Sequence, residues 1–546
     1  MYTHSRAVIA AATLSLAVLG LAPLSAHATH AIDETGQPSD GVPADRSVNI
    51  DASSDSLVTD PMTSPDALPD GLAAAIDRDL GMTPEEYVES GTTARMAGQL
   101  IDDLSAVGIA PADVEISGTS EISVVVDNPA EAAAVEARGA VAVSRTDGAV
   151  AVSEPAVMPV VRTMSDTVPA GSKFLTSTYH ACTLGFWGYD SQGQPVALTA
   201  GHCAKNASGP VSKMQTENPW GETGATESQS FGAFHLGMYG SGYDATLVLS
   251  NQEQSAPGHV DVYGSAGPQS VPVYGWTPPV VGANVCKSGA RTGWTCGVIT
   301  ELPKDFVVSD EGSPTVSGMS TTLCSASGDS GSPILSGNYA VGILSFGSYS
   351  IKPGDTESAC DMKVQVERFK AEALNYYPSG QREAALQLLE ADPNRLILTG
   401  AQAMTGPGQT IEALFGNDFK LAVAMPAPKL VKKSATKART VIKGHVDLMG
   451  RTNTEYKVKV KIGPRNYVVT PDANGDFTIK GAKLKSKKVT VSMRTHLVDQ
   501  TVQKSTSTEK KLNASHLAKK AADAKKAAKA KKAAKAKKKA AAKAKK

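Results

Sequence analysis

The sequence predicts a chain built mainly of β-structure, with an all-β domain of the sandwich or barrel kind at about residues 168–365. Two observations predict it. Short apolar or alternating runs such as Pro195–Leu198, Ala245–Leu249 and Ala340–Leu344 are separated by turns rich in Gly, Ser, Asn and Pro. All six cysteines also fall between 182 and 360, so any disulfide framework belongs to this one region.

The N-terminus has the pattern of an export signal. Arg6 supplies a positive charge, residues 7–24 are uncharged and mainly apolar, and the run Ser25-Ala-His-Ala28 offers a cleavage site after Ala28. A membrane anchor is the alternative, but Pro23 and the cleavage pattern favour a signal, and no other stretch approaches the roughly 20 apolar residues of a membrane helix. Because the protein is expected to be exported to an oxidising compartment, the even number of cysteines indicates disulfides. Six cysteines allow 15 different pairings.

The charges are distributed unevenly along the chain. A composition of 41% hydrophobic and 20% charged residues is ordinary for a soluble globular protein, and the formal net charge is zero. Residues 1–170 carry 25 acidic and 7 basic side chains, residues 171–378 carry 17 and 10, and residues 379–546 carry 12 and 37. The net charge of zero therefore conceals an acidic N-terminal region and a strongly basic C-terminal region.

A small α+β unit is predicted before the β domain. Residues 71–80 are helical in pattern, and Thr83-Pro-Glu-Glu86 is a helix start with a Thr cap, Pro in the first turn and Glu three residues on. Residues 122–126 form a β-rich run and residues 129–138 an Ala/Glu helix. The stretch from 29 to about 70 is rich in Asp, Ser, Pro and Gly and is predicted to be an acidic disordered spacer.

The region after the β domain begins with a predicted closing helix at residues 364–377 and a second possible helix at 382–390. Residues 438–505 alternate again and predict a second β unit. Within it, Asp472-Ala-Asn-Gly-Asp476 predicts a hairpin turn, with a calcium site as the less favoured alternative. Residues 519–546 hold fourteen Lys and one Asp, and this repulsion is expected to keep the tail disordered despite its Ala content.

Three runs in the β domain supply the groups that peptide hydrolysis needs. The run Leu198-Thr-Ala-Gly-His-Cys places His202 at the end of a strand, and Asp244 opens an apolar strand. Ser330 lies in a tight turn of small residues, where the amides of Gly328 and Ser330 could point together at a developing oxyanion. A base, an orienting carboxylate and a nucleophile therefore occur in the order His, Asp, Ser, which is one of several known for this geometry.

These runs resemble the chymotrypsin-like serine proteases, in particular their secreted bacterial branch of streptogrisins and α-lytic protease. The shared motifs are T-A-G-H-C, a G-D-S-G-x-P run at 328–333, A-C-T-L-G-F at 181–186, and V-C-K-S-G followed by T-G-W-T-C-G at 285–297. The resemblance implies two six-stranded antiparallel β-barrels and a secreted serine endopeptidase without a cofactor or a metal site. It also implies the disulfides Cys182–Cys203, Cys286–Cys296 and Cys324–Cys360.

The resemblance also implies residues around the catalytic groups. Lys287 stands where the branch has an Arg that pairs with the Asp before the nucleophile, so a Lys287–Asp329 ion pair is a hypothesis. Ser332 replaces a second Gly of the motif, which is acceptable unless that position needs a positive φ. The substrate pocket is expected between two walls, and the absence of a carboxylate from the first wall disfavours strict cleavage after Arg or Lys. Asp355 and Glu357, in the loop before Cys360, could alter this preference, so the sequence leaves the specificity open. The walls are Ser325, Ala326 and Ser327, and Ser345, Phe346 and Gly347, with Ser345 a candidate donor to Asp244.

Residues 71–140 resemble the pro-region of the same branch, and residues 438–505 resemble bacterial immunoglobulin-like repeats. The pro-region there assists folding and inhibits the enzyme, and its cleavage is expected between about Ser153 and Ser172. The predicted division is as follows: signal peptide 1–28, acidic spacer 29–69, pro-region 70–155, protease domain 168–378, helix and linker 379–437, immunoglobulin-like β-sandwich 438–505, basic tail 506–546.

The sequence thus predicts an exported endopeptidase made as a zymogen, acting on protein substrates and bound by its own pro-region. The basic tail is a candidate ligand of an anionic cell-wall polymer or another polyanion, with a solvated tail that has no specific partner as the alternative. The competing function is a catalytically silent protease-like scaffold that acts in surface binding or adhesion. Loss of a triad residue would favour that reading, and none is lost.

Overall fold

The computed structural model describes most of the chain between residues 68 and 535. The described residues are 68–105, 108–109, 114–144, 168–178, 180–205, 210–215, 226–250, 258–261, 270–307, 314–352, 355–376, 379–406, 408–435, 440–448, 451–481, 488–498, 508–513 and 523–535. The predicted signal peptide, most of the acidic spacer and the expected pro-region cleavage segment up to residue 167 lie outside them. No helix of the described residues is long and apolar enough to cross a membrane.

Residues 70–144 form the α+β unit that the sequence predicts. Its elements are α1 (Asp70–Leu80), α2 (Pro84–Ser105), β1 (Val114–Ser117), β2 (Glu121–Val126), α3 (Pro129–Glu136) and β3 (Val141–Ser144). Strand β2 pairs antiparallel with β1 and parallel with β3. The helix start at Thr83 forms a reciprocal cap, because Thr83 N donates to Glu86 Oε2 at 2.7 Å and Glu86 N donates to Thr83 Oγ1 at 3.2 Å.

The central region contains two large sheets. Its strands are β4 (Lys173–Leu175), β5 (Ala181–Thr183), β6 (Trp187–Tyr189), β7 (Pro195–Thr199), β8 (Pro210–Gln215), β9 (Thr226–Gly240), β10 (Tyr243–Ser250), β11 (His259–Asp261), β12 (Ser270–Pro272), β13 (Gly275–Trp276), β14 (Asn284–Gly289), β15 (Gly293–Val307), β16 (Thr315–Thr321), β17 (Pro333–Ser336), β18 (Tyr339–Gly347), β19 (Thr399–Ala403) and β20 (Lys420–Leu421). The first sheet has the order β20-β6-β7-β10-β9-β8-β4-β5. The second has the order β13-β18-β17-β14-β15-β16-β19 and closes through a β18–β19 pairing, while β11 and β12 form a separate pair.

This architecture is the all-β protease-like fold that the sequence predicts, with two corrections. Among the described residues the sheets have eight and seven strands rather than six each, because short strands such as β13 and β20 add to their ends. The predicted domain end at 378 and the linker at 379–437 are also wrong. After α4 (Met362–Tyr376) and α5 (Ser379–Ala391), β19 returns to close the second barrel, and after α6 (Ile411–Phe415), β20 pairs with β6 of the first.

A β-sandwich follows at residues 429–513, wider than the predicted 438–505. Its strands are β21 (Lys429–Ala435), β22 (Thr440–His445), β23 (Tyr456–Ile462), β24 (Arg465–Val469), β25 (Asp476–Gly481), β26 (Lys488–Leu497) and β27 (Thr508–Asn513), in antiparallel sheets of order β21-β22-β25 and β24-β23-β26-β27. Ile442 and Phe477 of the first sheet share a core with Val458 and Met493 of the second. Asp472 Oδ1 accepts the amides of Asn474 and Asp476, which is the geometry of the predicted turn.

The basic tail differs from the prediction of disorder over residues 523–535. These residues are helical and their side chains are all exposed. Ala and Lys both have high helix propensity, and each like-charge pair at i,i+4 opposes the helix by only about 0.2–0.5 kcal/mol. Repulsion between the Lys side chains is therefore too weak to prevent the helix at residues 523–535.

Candidate active site

His202 lies in a one-turn helix, Gly201–Ala204, that follows β7. A Cβ at Gly201 would lie 2.1 Å from the carbonyl oxygen of Met238, so glycine is required where the turn passes β9. The Cys182–Cys203 disulfide ties the same turn to β5. The chain direction after β7 and the disulfide together fix where the imidazole emerges.

Asp244 is buried at the start of β10 and holds this imidazole in place. His202 Nδ1 and Asp244 Oδ2 are 2.8 Å apart, and the backbone N–H of His202 donates to Oδ1 at 2.8 Å. The Ser345 hydroxyl donates to Oδ2, as the resemblance suggests. An ionised carboxylate only accepts hydrogen bonds, so Nδ1 carries the proton and Nε2 of the neutral ring is the acceptor.

Gln402 is a residue of the site that the sequence does not reveal. Its Oε1 accepts the backbone N–H of Asp244 at 2.9 Å, and its Nε2 donates to the carbonyl of Ser317 at 2.9 Å and to that of Gln409. The side chain is fully buried on β19. It therefore fastens the start of β10 to the strand that closes the second barrel.

Ser330 lies in the turn between Gly328 and Gly331, whose φ angles are +104° and +88°. Thr183 holds this turn from β5, because its N–H donates to the carbonyl of Ser330 and its hydroxyl to that of Gly328, both at 2.8 Å. A Cβ at Gly331 would lie 2.1 Å from Thr199 Oγ1, so this glycine is required as well. Ser332 does not have a positive φ, and its hydroxyl donates to the Asp329 carbonyl at 2.5 Å.

The structure brings the three predicted catalytic residues into one region but does not join all three directly. Gly331 N donates to the carbonyl of Leu344 at 2.7 Å, and the next residue, Ser345, contacts Asp244. Among the described residues Ser330 Oγ makes no hydrogen bond, and a nucleophile–base contact is often loose without substrate. The Gly328 and Ser330 amides also donate to no atom in that part of the chain, as an oxyanion site requires.

The carboxylate before the nucleophile is completely buried and accepts several hydrogen bonds. Asp329 Oδ1 accepts the amides of Arg291 and Thr292 at 2.7 and 3.0 Å. Asp329 Oδ2 accepts the amide of Ala326 at 2.9 Å and the Thr292 hydroxyl at 2.6 Å. These contacts fix the conformation of the segment from 326 to 330.

Lys287 is buried beside the same carboxylate. Lys287 Nζ lies 3.3 Å from Asp329 Oδ2 and donates to Thr292 Oγ1 at 2.6 Å. Burial lowers the pKa of Lys287 below its ordinary value, and the negative charge of Asp329 opposes that shift. The geometry is that of the hypothesised ion pair, with Thr292 as an additional bridge that the sequence did not predict.

The disulfide pairs are those that the resemblance implies. Cys182–Cys203, Cys286–Cys296 and Cys324–Cys360 are all formed, and the described residues contain no free cysteine. Two of these sulfurs and His202 are close enough to suggest a metal site, but both sulfurs are consumed in the bond between them.

The six predicted pocket residues divide into buried and accessible groups. Ser325 and Ser345 are buried, and the Ser325 hydroxyl lies 2.6 Å from Thr399 Oγ1 at the beginning of β19. Phe346 is also buried, in a small cluster with Phe306 and Leu398, and its ring packs edge-on against that of Phe306 with centroids 4.7 Å apart. The surface left for a ligand comes from the rest: Ala326, Ser327 and Gly347.

A helix braces the loop that follows this second wall. Gln365 on α4 donates from Nε2 to the carbonyl of Ala359 at 2.5 Å and accepts the amide of Ser350 at 2.7 Å. Arg368 pairs with Asp355 through two hydrogen bonds of 2.5 and 2.9 Å and also donates to the carbonyl of Ser350. The helical excursion between Cys360 and β19 therefore holds both ends of the loop.

The Arg368–Asp355 contact is expected to make this loop sensitive to acid. The hydrogen bonds from Arg368 hold the pKa of Asp355 below its ordinary value of 3.8, so their stabilisation is present above pH 3.8 and is lost as the pH falls through the lower, folded-state pKa. Replacing Asp355 with Asn should raise amide exchange of the loop at neutral pH about tenfold, the equivalent of about 1.4 kcal/mol. Exchange mass spectrometry of residues 348–360 measures this. Equal protection in parent and variant at neutral pH would exclude a contribution of the Arg368–Asp355 contact to holding the loop.

A family model and the matching relatives all point to the same protein family. A family model described as Trypsin matches residues 174–369. Streptogrisin-C of Streptomyces griseus is 32% identical over 280 residues, which are 49% of this chain and 56% of that protein. Serine protease 2 of Streptomyces fradiae is 32% identical over 176 residues, 32% of this chain and 91% of that protein. The structure of Thermobifida fusca Protease A aligns with 28% identity over 33% of this chain and 84% of its own, with a TM-score of 0.26.

The barrels and the matching relatives define the class of chymotrypsin-like serine proteases. The chain belongs to the trypsin family of that class, which confirms the family predicted from the sequence. It spans 56% of Streptogrisin-C and 32% of Serine protease 1 of Rarobacter faecitabidus.

Proposed function

We propose that the protein is a secreted serine endopeptidase in which Ser330 is the nucleophile, His202 the general base and Asp244 the orienting carboxylate. The observation that carries this proposal is the buried Asp244, which holds His202 through two hydrogen bonds close to the turn that bears Ser330. Nothing in such a site requires a cofactor. The chemistry follows from the groups present.

In the proposed reaction Ser330 Oγ attacks the carbonyl carbon of the scissile peptide bond while its proton passes to His202 Nε2. The imidazolium that forms is stabilised by Asp244, and the amides of Gly328 and Ser330 donate to the oxyanion. His202 then gives the proton to the leaving amine, and the acyl-enzyme forms. Water, activated by the same imidazole, attacks the ester carbonyl and releases Ser330.

The proposed substrates are proteins or peptides bound against the accessible pocket surface. The small side chains of Ala326 and Gly347 leave room for an apolar side chain, and the buried Ser325–Thr399 contact would form the floor. No carboxylate lies among these residues, so a basic side chain would not be neutralised there. We propose an apolar rather than a basic preference.

Fluorophosphonate labelling of the secreted, processed protein tests the proposed nucleophile. We expect the parent to take up one equivalent of label and a folded Ser330→Ala variant to take up none, because only an activated serine reacts. Disulfide mapping of both proteins checks that the fold is the same. Processed, disulfide-bonded parent that takes up no label would instead favour the catalytically silent binding scaffold.

We also propose that residues 70–155 act as a pro-region that assists folding and is then removed. Its described part packs on the second barrel, and Ala97, Leu104 and Val124 share a hydrophobic core with the barrel residues Val285 and Ile334. Arg78 Nη2 donates to the carbonyl of Trp294 at 3.0 Å, and Asp79 Oδ2 accepts the amide of Cys296 at 2.7 Å. By packing against β14 and β15, the pro-region would act as a template for their pairing. Such help would speed the folding of a domain whose strands pair slowly, because its contacts are distant in sequence.

Replacing Asp79 with Ala is expected to lower the yield of exported, processed protein severalfold. The change removes the acceptor of Cys296 N and leaves Arg78, which is 8% exposed, without the carboxylate that pairs with it at 2.5 Å. Asp77→Ala is the matched control, since Asp77 lies on the same helix with its side chain exposed. Quantitative immunoblotting of culture medium measures the yield. Equal yields from the two variants would remove this contact from the proposed folding role.

The basic C-terminal region of the chain, residues 379–546, supports a proposal of retention at an anionic surface after export. Residues 379–546 carry 37 basic and 12 acidic side chains, and the helix at 523–535 is exposed along its whole length. Such a charge excess attracts polyanions. The proposed ligand of the tail is an anionic cell-wall polymer.

A further inference from the structure

The outer face of the four-stranded sheet in the C-terminal sandwich is basic. On β23 the side chains of Val458 and Val460 are buried in the sandwich core, so Lys457, Lys459 and Lys461 point to the opposite side. Lys459 and Lys461 are exposed, and Lys457 is half-buried and donates to Thr470 Oγ1. Three positive charges therefore follow one another along a single strand.

Neighbouring strands extend this row into a patch, which we call the basic face: Lys457, Lys459, Lys461, Arg494 and Lys511. Lys459 lies directly opposite Arg494 of β26, and Lys511 of β27 lies opposite Thr490. Like charges that face each other across a sheet destabilise it. One acidic residue, Glu509 opposite Ser492, lies on the same face of the described strands.

Exposed charges of the basic face have no anionic partner within the described part of the chain. Lys459, Lys461, Arg494 and Lys511 form no salt bridge there, whereas on the other sheet His445 pairs with Asp476 at 2.9 Å. The repulsion between Lys459 and Arg494 destabilises the sheet, and no contact among the described residues offsets it. Binding of a polyanion would relieve it.

The arrangement fits a linear phosphate polymer. Alternate residues of a strand are about 6.8 Å apart, and adjacent strands about 4.8 Å, so the face presents one row of three cations on β23 with Arg494 beside it on β26. No Phe, Tyr or Trp among the described residues projects from this face, since Tyr467 of β24 packs against the sandwich core. Single-stranded nucleic acids are usually held by stacking of bases on aromatic rings. The face therefore suits a polymer of phosphodiester-linked polyols, which has charge and no bases.

We propose that the basic face binds a polyol-phosphate polymer. This inference does not rest on proteolysis; it rests on the retention proposed for residues 379–546 and deepens it, by assigning part of the binding to the sandwich. The sandwich is fastened to the protease domain, because Arg451 donates to the carbonyl of Tyr274 and Thr495 to that of Pro426. A polymer on the basic face would hold the active site at a fixed orientation to it.

The test uses the full chain carrying Ser330→Ala, which removes the proposed nucleophile and so avoids self-digestion. Purified poly(glycerol phosphate) is the probe, titrated at several salt concentrations. The double variant Lys459→Glu/Arg494→Glu is expected to bind at least tenfold more weakly than the parent. Its plot of log affinity against log salt should be shallower by about 1.4, for two lost phosphate contacts.

The matched control is Lys443→Glu/Lys480→Glu, which changes the net charge equally at exposed positions of the other sheet. It should bind within about twofold of the parent, because long-range charge effects are screened by salt. Thermal unfolding checks both variants, and Lys459→Gln/Arg494→Gln replaces the first pair if charge reversal disturbs the fold. Equal losses of affinity in the two double variants, or no loss of affinity in the Lys459/Arg494 variant, would overturn the proposal. Equally tight binding of oligo-dT, lost in the same variant, would replace the polyol phosphate with nucleic acid.

Discussion

Replacing His202 with Ala is expected to lower kcat for a peptide substrate by about 10⁶-fold, and Ser330→Ala by a similar factor. Both variants remove the transfer of the Ser330 proton, without which the hydroxyl is a weak nucleophile. Since the two residues act as a unit, the double variant should lose no more than either single variant. Asp244→Asn should cost about 10⁴-fold, because the amide cannot hold the same imidazole tautomer.

The control is His180→Ala, which removes an exposed histidine of the same barrel and should leave kcat unchanged. Steady-state kinetics on a peptide anilide, with disulfide mapping to check folding, measures all five variants. Losses that multiply in the double variant would mean that His202 and Ser330 contribute independently. A His202→Ala enzyme within tenfold of the parent would exclude His202 as the base.

The catalytic candidates could be predicted because each lies in a short run whose residues are needed locally. Gly201 before His202 avoids a clash with Met238, and Gly331 after Ser330 avoids one with Thr199. Such requirements act over a few neighbouring residues and leave a readable motif. The Lys287–Asp329 contact could be predicted for a similar reason, because each of the two residues lies inside a motif shared with the family.

Gln402 and Thr399 could not be predicted from the sequence. They contact Asp244 and Ser325 across 158 and 74 residues, so no local pattern links them to the site. The strand that carries them reads Thr-Gly-Ala-Gln-Ala, with one β-branched residue and no apolar alternation, although all five residues are buried. Strand pairing to β16 and β18, rather than intrinsic propensity, defines this element.

The helical excursion explains why the predicted domain end fell at 378. An amphipathic helix after the last motif is a reasonable end for a domain, and α4 does begin at Met362. The chain then passes through α5 and returns to the barrel, where β19 pairs with residues 342–347 of β18, beyond the two residues of β18 that pair with β13. An unpaired strand edge is unfavourable, so the closing strand has to be sought wherever it lies in the sequence.

Replacing Lys287 with Met is expected to lower the free energy of unfolding by about 3 kcal/mol, near the lower end for breaking a buried ion pair. The side chain is completely buried, and Met fills a similar volume without the charge, so Asp329 keeps its negative charge but loses its cation. A shift of the turn would also misplace the amides of Gly328 and Ser330. Loss of one oxyanion donor typically lowers kcat by about 10²–10³-fold.

Lys287→Arg is the matched control, because it keeps the charge and offers a guanidinium fork to the same carboxylate. We expect it to retain most of the stability and activity that the Met variant loses, as measured by chemical unfolding and by kcat. A Met variant with both properties intact would reject the ion pair. A Met variant that is unstable but fully active would separate the two effects, since four uncharged donors also bind Asp329: the amides of Arg291, Thr292 and Ala326 and the Thr292 hydroxyl. These donors would then shape the oxyanion turn, and Lys287 would serve only to neutralise the buried charge.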